Sequence, residues 1–199
     1  EPYVRLIDRY MTRARWLCKE VFEFDGAYIP HVVLSHEPVD PEQCKSRNGR
    51  QYIHHVWGFT MGVPAFTVQN LWHRYKYAPD RDYLEQTAYP AVRDVAVFQA
   101  NYMDGCDSDA ARPEKVILAP GVSPEHWGWT KNFERNRDGT FDIAMFRFVF
   151  KAAIEGATLL ERDEALISRW EACLNKLPDY PTAGDEEPVV VDVRDAPPI

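Results

Sequence analysis

Apolar positions recur at helical spacing in five stretches, and two kinds of stretch alternate. In residues 3–23 the stripe is Leu6, Ile7, Tyr10, Met11, Ala14, Leu17, Cys18, Val21 and Phe22, with Arg5, Arg9, Arg13 and Lys19 off it. That spacing predicts an amphipathic helix, ended by Asp25-Gly26. Residues 57–77 are apolar nearly all round (Trp57, Phe59, Met61, Val63, Ala65, Phe66, Val68, Leu71, Trp72, Tyr75), which predicts a helix buried on most sides. Gly58, Gly62 and Pro64 should make its first turns irregular. Asp80 fits the N-cap of a short helix over 81–88, and Pro90 the first turn of another over 90–104. Residues 141–161 are again apolar nearly all round, and Asp163 is the expected N-cap of an amphipathic helix over 164–177 that Pro178 stops. Residues 178–199 are Pro-rich and acidic, with one strand-like run, Val189–Val193.

The order is therefore outer, inner, outer, inner, outer. Amphipathic helices alternating with helices buried all round are what concentric helical rings require. The connections 24–56 and 105–140 are long, and those near 78–80 and 162–163 are short. In an up-down array both long loops then lie at one end, beside the N-termini of the inner helices. Loops of such length in a compact domain usually carry function. Lys115–Leu118 is the one short strand expected within the second loop. The fold class is all-α, with a helical domain over 1–177 and residues 178–199 as an extension leading away from it.

Composition narrows the function classes. The net charge is -8, the wrong sign for neutralising nucleic-acid phosphates. No run of about 18 uncharged apolar residues is present, so no membrane span is expected. Aromatic residues reach 13%, which suits a carbohydrate site and a large core equally. Cys18, Cys44, Cys106 and Cys173 form no CxxC pair, so a zinc ribbon or redox motif is not indicated. Cys18 and Cys173 read as core residues; a Cys44–Cys106 disulfide would join the two long loops, with nothing in the sequence supporting it. The loop histidines His31, His36, His54 and His55 match no compact metal-ligand spacing, and neither metal nor cofactor is implied.

The stretch Ala119–Trp129 carries the candidate chemistry. It sets Glu125 among Pro120, Gly121, Pro124, His126, Trp127 and Trp129. Prolines keep a helix from running through it, and a rigid loop can hold an acid against an apolar wall. Desolvation there disfavours the charged carboxylate, the condition for a general acid near neutrality. Trp127 and Trp129 offer flat faces to a sugar ring. The plain alternative is a surface turn with its rings packed inward and Glu125 solvated. Asp142 follows Thr140 at a helix start, as a capping carboxylate or as a ligand for sugar hydroxyls. His73, with Gln69 and Asn70, lies on an inner helix, as a satisfied core group or a ligand.

Pro120-Gly-Val-Ser-Pro-Glu125, followed by Gly139-Thr-Phe-Asp142, resembles glycoside hydrolase family 95. In that family a Pro-Ser-x-Ser-Pro-Glu loop carries the catalytic acid and Thr-x-Asp opens the next helix. Leu71-Trp-His-Arg-Tyr75, Asp80 to Leu84, and Tyr89-Pro90 to Phe98 also resemble it, in order, over roughly residues 3–177. The resemblance implies an inverting hydrolase of α-linked sugars, L-fucose or an L-galactose-like residue, on an (α/α)6 barrel. It implies Glu125 as general acid, and His31, His73, Trp127, Trp129 and Asp142 against an oligosaccharide or polysaccharide. An extracellular or periplasmic location goes with such substrates. The family's His is followed by alternating Asn residues that help position the catalytic water; this chain has Val33 and Ser35 there. No match to the family's general base occurs before Ile199, so the base is expected from the remainder of the catalytic domain. Five helices are under half of a twelve-helix ring, so Trp57, Phe66, Phe146 and Phe150 are expected on exposed flanks. A carbohydrate-binding or interaction module without catalysis, or a purely structural helical array, are the other classes compatible with the residues.

Overall fold

The computed structural model describes residues 2–31, 33, 56–124 and 126–197. Its long helices are α1 (Pro2–Phe22), α2 (Val63–Tyr77), α3 (Tyr89–Asp104), α4 (Thr140–Leu160) and α5 (Glu164–Lys176). The expected alternation of five helices is present. Helix α4 is the hub, packing against α2, α3 and α5, while α1 lies against α2 and α3.

The physical reason for α4's place is its sequence. Ile143, Phe146, Val149, Phe150, Ala153 and Ala157 are all fully buried. Phe146 and Phe150, expected on an exposed flank, are instead enclosed: Phe146 meets Tyr102 of α3 edge-on at 6.0 Å and Phe150 at 6.2 Å. Each such ring contributes about 1.5–3 kcal/mol by leaving water, so α3 closing over them is the stable arrangement. Trp57's side chain lies outside the described residues.

Helix α2 departs further from expectation. A 3₁₀ turn, Val56–Phe59, precedes it, and the α-helix itself begins at Val63, with Pro64 in its first turn where a missing N–H costs nothing. It buries one face: Val63, Ala65, Val68, Leu71 and Trp72. Phe66, Asn70, His73 and Tyr77 form a solvent-facing stripe, with Phe66 52% exposed. Being apolar all round did not make α2 enclosed all round, because α1, α3 and α4 contact it from one side.

A single turn, Arg81–Tyr83, is capped as expected: Asp80 accepts from the Tyr83 N–H at 3.2 Å. It runs through a π turn, Leu84–Ala88, directly into α3. Pro90 explains the wider turn, since its ring clashes with the carbonyl four residues back in an α-helix. Asp163 occupies the N-cap position of α5, as expected, but its side chain makes no cap bond. Its backbone is left-handed (φ 58°), and its carboxylate accepts from the Tyr89 hydroxyl at 2.6 Å and from Arg93 Nε at 3.0 Å. Charged and hydroxyl donors on α3 outcompete the backbone amides of its own helix.

Strand β1 (Ser108–Asp109) pairs with β2 (Arg112–Val116), so the strand near Lys115 begins earlier and ends sooner than Lys115–Leu118. Strands β3 (Thr182–Ala183) and β4 (Val189–Val190) form a second short hairpin. Beyond it, residues 191–196 lie against the helical domain. Val191, Val193 and Ala196 are buried, and the Thr140 N–H donates to the Asp192 carbonyl at 2.8 Å. Val191, Val193 and Ala196 form a small cluster with Ala183, and hydrogen bonds from Thr140 to the backbone tie the segment to the start of α4. Cys106 is a free thiol donating to the Tyr102 carbonyl at 3.4 Å; Cys44 lies outside the described residues.

After α1 the chain turns at Gly26 (φ +116°) and threads between α1 and α3. The Ala27 N–H donates to Asp94 of α3 and the Tyr28 N–H to Ala14 of α1. A Cβ at Gly26 would stand 2.5 Å from the Phe98 nitrogen and 2.6 Å from the Asp94 oxygen, both backbone atoms that cannot yield. Gly128 (φ +54°) has open space around it. Gly26→Ala should therefore lower unfolding stability by about 3 kcal/mol through combined strain and overlap. Gly128→Ala should cost about 1 kcal/mol, through its dihedral alone. Urea unfolding of the two variants checks this, and equal midpoints would contradict it.

Candidate active site

The N-termini of α2 and α4 meet at one end of the array, and one carboxyl joins them. Asp142, in the first turn of α4, is fully buried, and its Oδ1 accepts from the Gly62 N–H at 2.6 Å. Gly62 is the N-cap residue of α2, so Asp142 caps a neighbouring helix. Its Oδ2 lies so near Gly121 that a Cβ there would be 2.9 Å from it. Burial pushes the Asp142 carboxyl up to about 8, against the Gly62 N–H and with some help from the Asp192 charge. A helix N-terminus favours a carboxylate by only about 0.3–1 kcal/mol, whereas burying an ion costs several kcal/mol. Burial wins, and Asp142 is a neutral, proton-carrying group near pH 7.

Residues 117–139 form the loop that Asp142 touches, and the loop is tied internally. Asn136 is buried; its amide donates to the carbonyls of Gly121 at 3.0 Å and Gly128 at 2.7 Å. Its Oδ1 accepts from the Thr130 N–H and hydroxyl, each at 2.9 Å. Asp138 closes the base: it accepts from the Leu118 N–H at 2.7 Å and pairs with Arg194 Nε at 2.6 Å. Arg194 also holds Asp109 of β1 at 2.7 Å. From the carboxy-terminal segment, Asp192 accepts from Ser123 Oγ at 2.7 and 2.6 Å and contacts His126 Nδ1 at 3.1 Å.

Glu125 lies outside the described residues, while Ser123 before it and His126 after it both contact Asp192. Trp127 (φ 64°) is 44% exposed, with the Arg135 guanidinium over its ring at 5.5 Å. Trp129 is 41% exposed and packs edge-on against Phe59 at 5.0 Å and Phe133 at 5.5 Å. These rings neither pack fully inward nor stand free; each is partly exposed and braced by a neighbour. His31, Pro30 and Val33 from the first long loop and Pro124 from the second line one cavity of about 420 Å³, with Phe66, Thr67 and Phe141. The two loops thus share one end of the array. His73 is elsewhere: it is exposed on α2, edge-on to Phe148 at 5.8 Å, and about 15 Å along the helix from Val63. His36, His54, His55 and Ser35 lie outside the described residues. Among the described residues no group of three or more His, Cys, Asp or Glu is arranged to hold a metal ion, and no helix is long and apolar enough to cross a membrane.

Asn136, Asp138, Asp192 and Arg194 escaped the sequence reading. Asn136 and Asp138 sit in a polar run, Arg135–Gly139, that looks like any solvated turn. Asp192 alternates with Val191 and Val193, which signals a half-buried strand but not what its polar face meets.

The model of the glycosyl hydrolase family 95 catalytic domain matches residues 1–187. No curated protein matches the chain.

The buried acid gives a pH signature. Asp142 titrates near 8 in the fold and near 4 unfolded, so between those values the folded state holds the extra proton. Its contribution to stability is complete below about pH 4 and declines as pH rises toward 8, by up to about 1.4 kcal/mol per pH unit. Asp142→Asn keeps an oxygen for the Gly62 N–H and does not titrate. The stability difference, wild type minus variant, should fall from pH 4 to 8 and level off above; a flat difference in urea titrations would refute the buried acid.

Proposed function

The chain belongs to glycosyl hydrolase family 95 through its catalytic domain, and from that membership we propose an inverting hydrolase of α-linked sugars with Glu125 as general acid. Its helices are part of an (α/α)6 barrel, and its substrate is a carbohydrate. The sugar proposed is L-fucose or an L-galactose-like residue at the end of an oligosaccharide or polysaccharide, met outside the cytoplasm in an extracellular or periplasmic location. Recovery of activity solely in a cytosolic fraction would contradict that location.

The observation that carries the reading is the anchoring of the loop on both sides of position 125. Ser123 and His126 both hydrogen-bond Asp192, while Asn136 and Asp142 hold Gly121. An acid must meet the leaving oxygen at hydrogen-bond distance, and positional error of an ångström is costly. In the proposed reaction Glu125 protonates the leaving oxygen as the bond to the anomeric carbon lengthens. A base about 6.5–9.5 Å away delivers water from the opposite face. Trp127 and Trp129 supply apolar faces beside it, and His31 lines the neighbouring cavity.

One observation favours a second reading, a carbohydrate-binding module without turnover. Val33 packs partly buried against the core, at a position where the family carries an Asn that helps position water. Turnover separates the readings, and Glu125→Gln identifies the acid. The variant keeps shape and hydrogen bonding but has no proton to give. In the full-length protein kcat on a natural glycoside should fall about 10²–10⁴-fold with KM nearly unchanged. On an aryl glycoside with an acidic phenol the loss should be much smaller. Unchanged turnover on the natural glycoside would remove Glu125 from catalysis.

A further inference from the structure

We propose that His126 is a sugar-binding residue of this site and that Asp192 is the residue that positions it. The proposal rests on the carbohydrate reading above and adds to it a ligand contact and the group that orients it.

The argument begins with the ring. His126 directly follows position 125, and its side chain is 62% exposed, while Asp192 is 24% exposed. An exposed imidazole normally samples several rotamers. This one is held by Nδ1 against Asp192 Oδ2 at 3.1 Å. The two ring nitrogens are on different edges, so Nε2 is turned away from Asp192. A carboxylate accepts and never donates. In the neutral ring the hydrogen is therefore on Nδ1, and Nε2 presents a lone pair at a fixed place, as in other carboxylate–histidine pairs. A hydrogen-bond acceptor close in sequence to the partly exposed Trp127 and Trp129 suits a sugar hydroxyl.

Asp192 is itself immobilised, which a merely incidental surface pair would not require. Both of its oxygens accept from Ser123, which is buried. Its carbonyl accepts from the Thr140 N–H at 2.8 Å, and the adjoining Val191 carbonyl accepts from the Thr140 hydroxyl at 2.6 Å. Asp192 is thereby locked to the first residue of α4, two positions from Asp142. An exposed ion pair adds little to stability, so holding His126 changes the ring's orientation far more than it changes folding.

The test uses full-length protein and the α-linked glycoside it hydrolyses. Asp192→Ala and His126→Ala should each raise KM about 3- to 10-fold, the size of one lost hydrogen bond; kcat should change less than KM in His126→Ala, whereas Asp192→Ala also frees Ser123 and should lower kcat as well. The double variant should have a KM no worse than either single one, because Asp192 acts on the sugar contact through His126. Nitrogen-15 NMR of the ring, at a pH where it is uncharged, should show wild-type His126 protonated at Nδ1. In Asp192→Asn, whose amide can still serve Ser123 but donates toward the ring, it should be protonated at Nε2. Additive losses, an unchanged KM in either single variant, or a wild-type ring protonated at Nε2 would overturn the proposal. A wild type without turnover would defeat the hydrolase reading separately. Affinity for free L-fucose by calorimetry would then take the place of KM, with the same outcomes deciding.

Discussion

One buried carboxyl holds the working end together. Asp142 belongs to α4, accepts from the N-cap amide of α2, and lies in contact with the loop at Gly121. Three parts of the chain, more than twenty residues apart in each direction, are brought into register by a single group. Its neutrality matters as much as its place. An ionised Asp142 would carry the desolvation cost of a buried charge, whereas the acid form satisfies the Gly62 N–H without it. The space it occupies also dictates glycine at position 121, where any Cβ would meet Oδ2. A Pro-Gly step in the loop and a Thr-x-Asp step at the helix are thus two sides of one contact.

Around that contact the loop is held from within and from without. Asn136 and Asp138 tie its two strands to each other, and Asp192 and Arg194 clamp it from the carboxy-terminal segment. The neutral bonds of Asn136 contribute about 0.5–1.5 kcal/mol each and those to the Asp138 and Asp192 carboxylates about 1.5–3 kcal/mol. Their effect is geometric. A loop without regular secondary structure keeps one backbone path because its polar groups are satisfied inside it, which leaves Trp127 and Trp129 outward and supported.

Much of this was legible in the sequence. Helical periodicity located all five helices, since each buries a stripe that must repeat every three or four residues. The motif residues from Pro120 to Asp142 lie at the end of the array where the N-termini of α2 and α4 meet. What periodicity could not give was enclosure. Phe66 on α2 and Phe146 and Phe150 on α4 share the expectation of an exposed flank, yet Phe66 alone of these is exposed, and α4 hides Phe146 and Phe150. Burial depends on how many neighbours approach, which is a property of the array and not of the stripe. Asp163 shows the same limit: local spacing locates the N-cap position of α5, but donors 70 and more residues away take its carboxylate. The residues that brace the loop were invisible because each is an ordinary polar residue whose partner is distant in sequence.

The most direct test of the account is the configuration of the first product. Proton NMR of the full-length protein acting on an α-linked aryl fucoside resolves the anomeric hydrogen before mutarotation scrambles it. A single displacement by water, with Glu125 protonating the leaving oxygen, predicts the β-anomer first. Initial release of the α-anomer would mean a covalent intermediate and two displacements, and would contradict the mechanism proposed for this site.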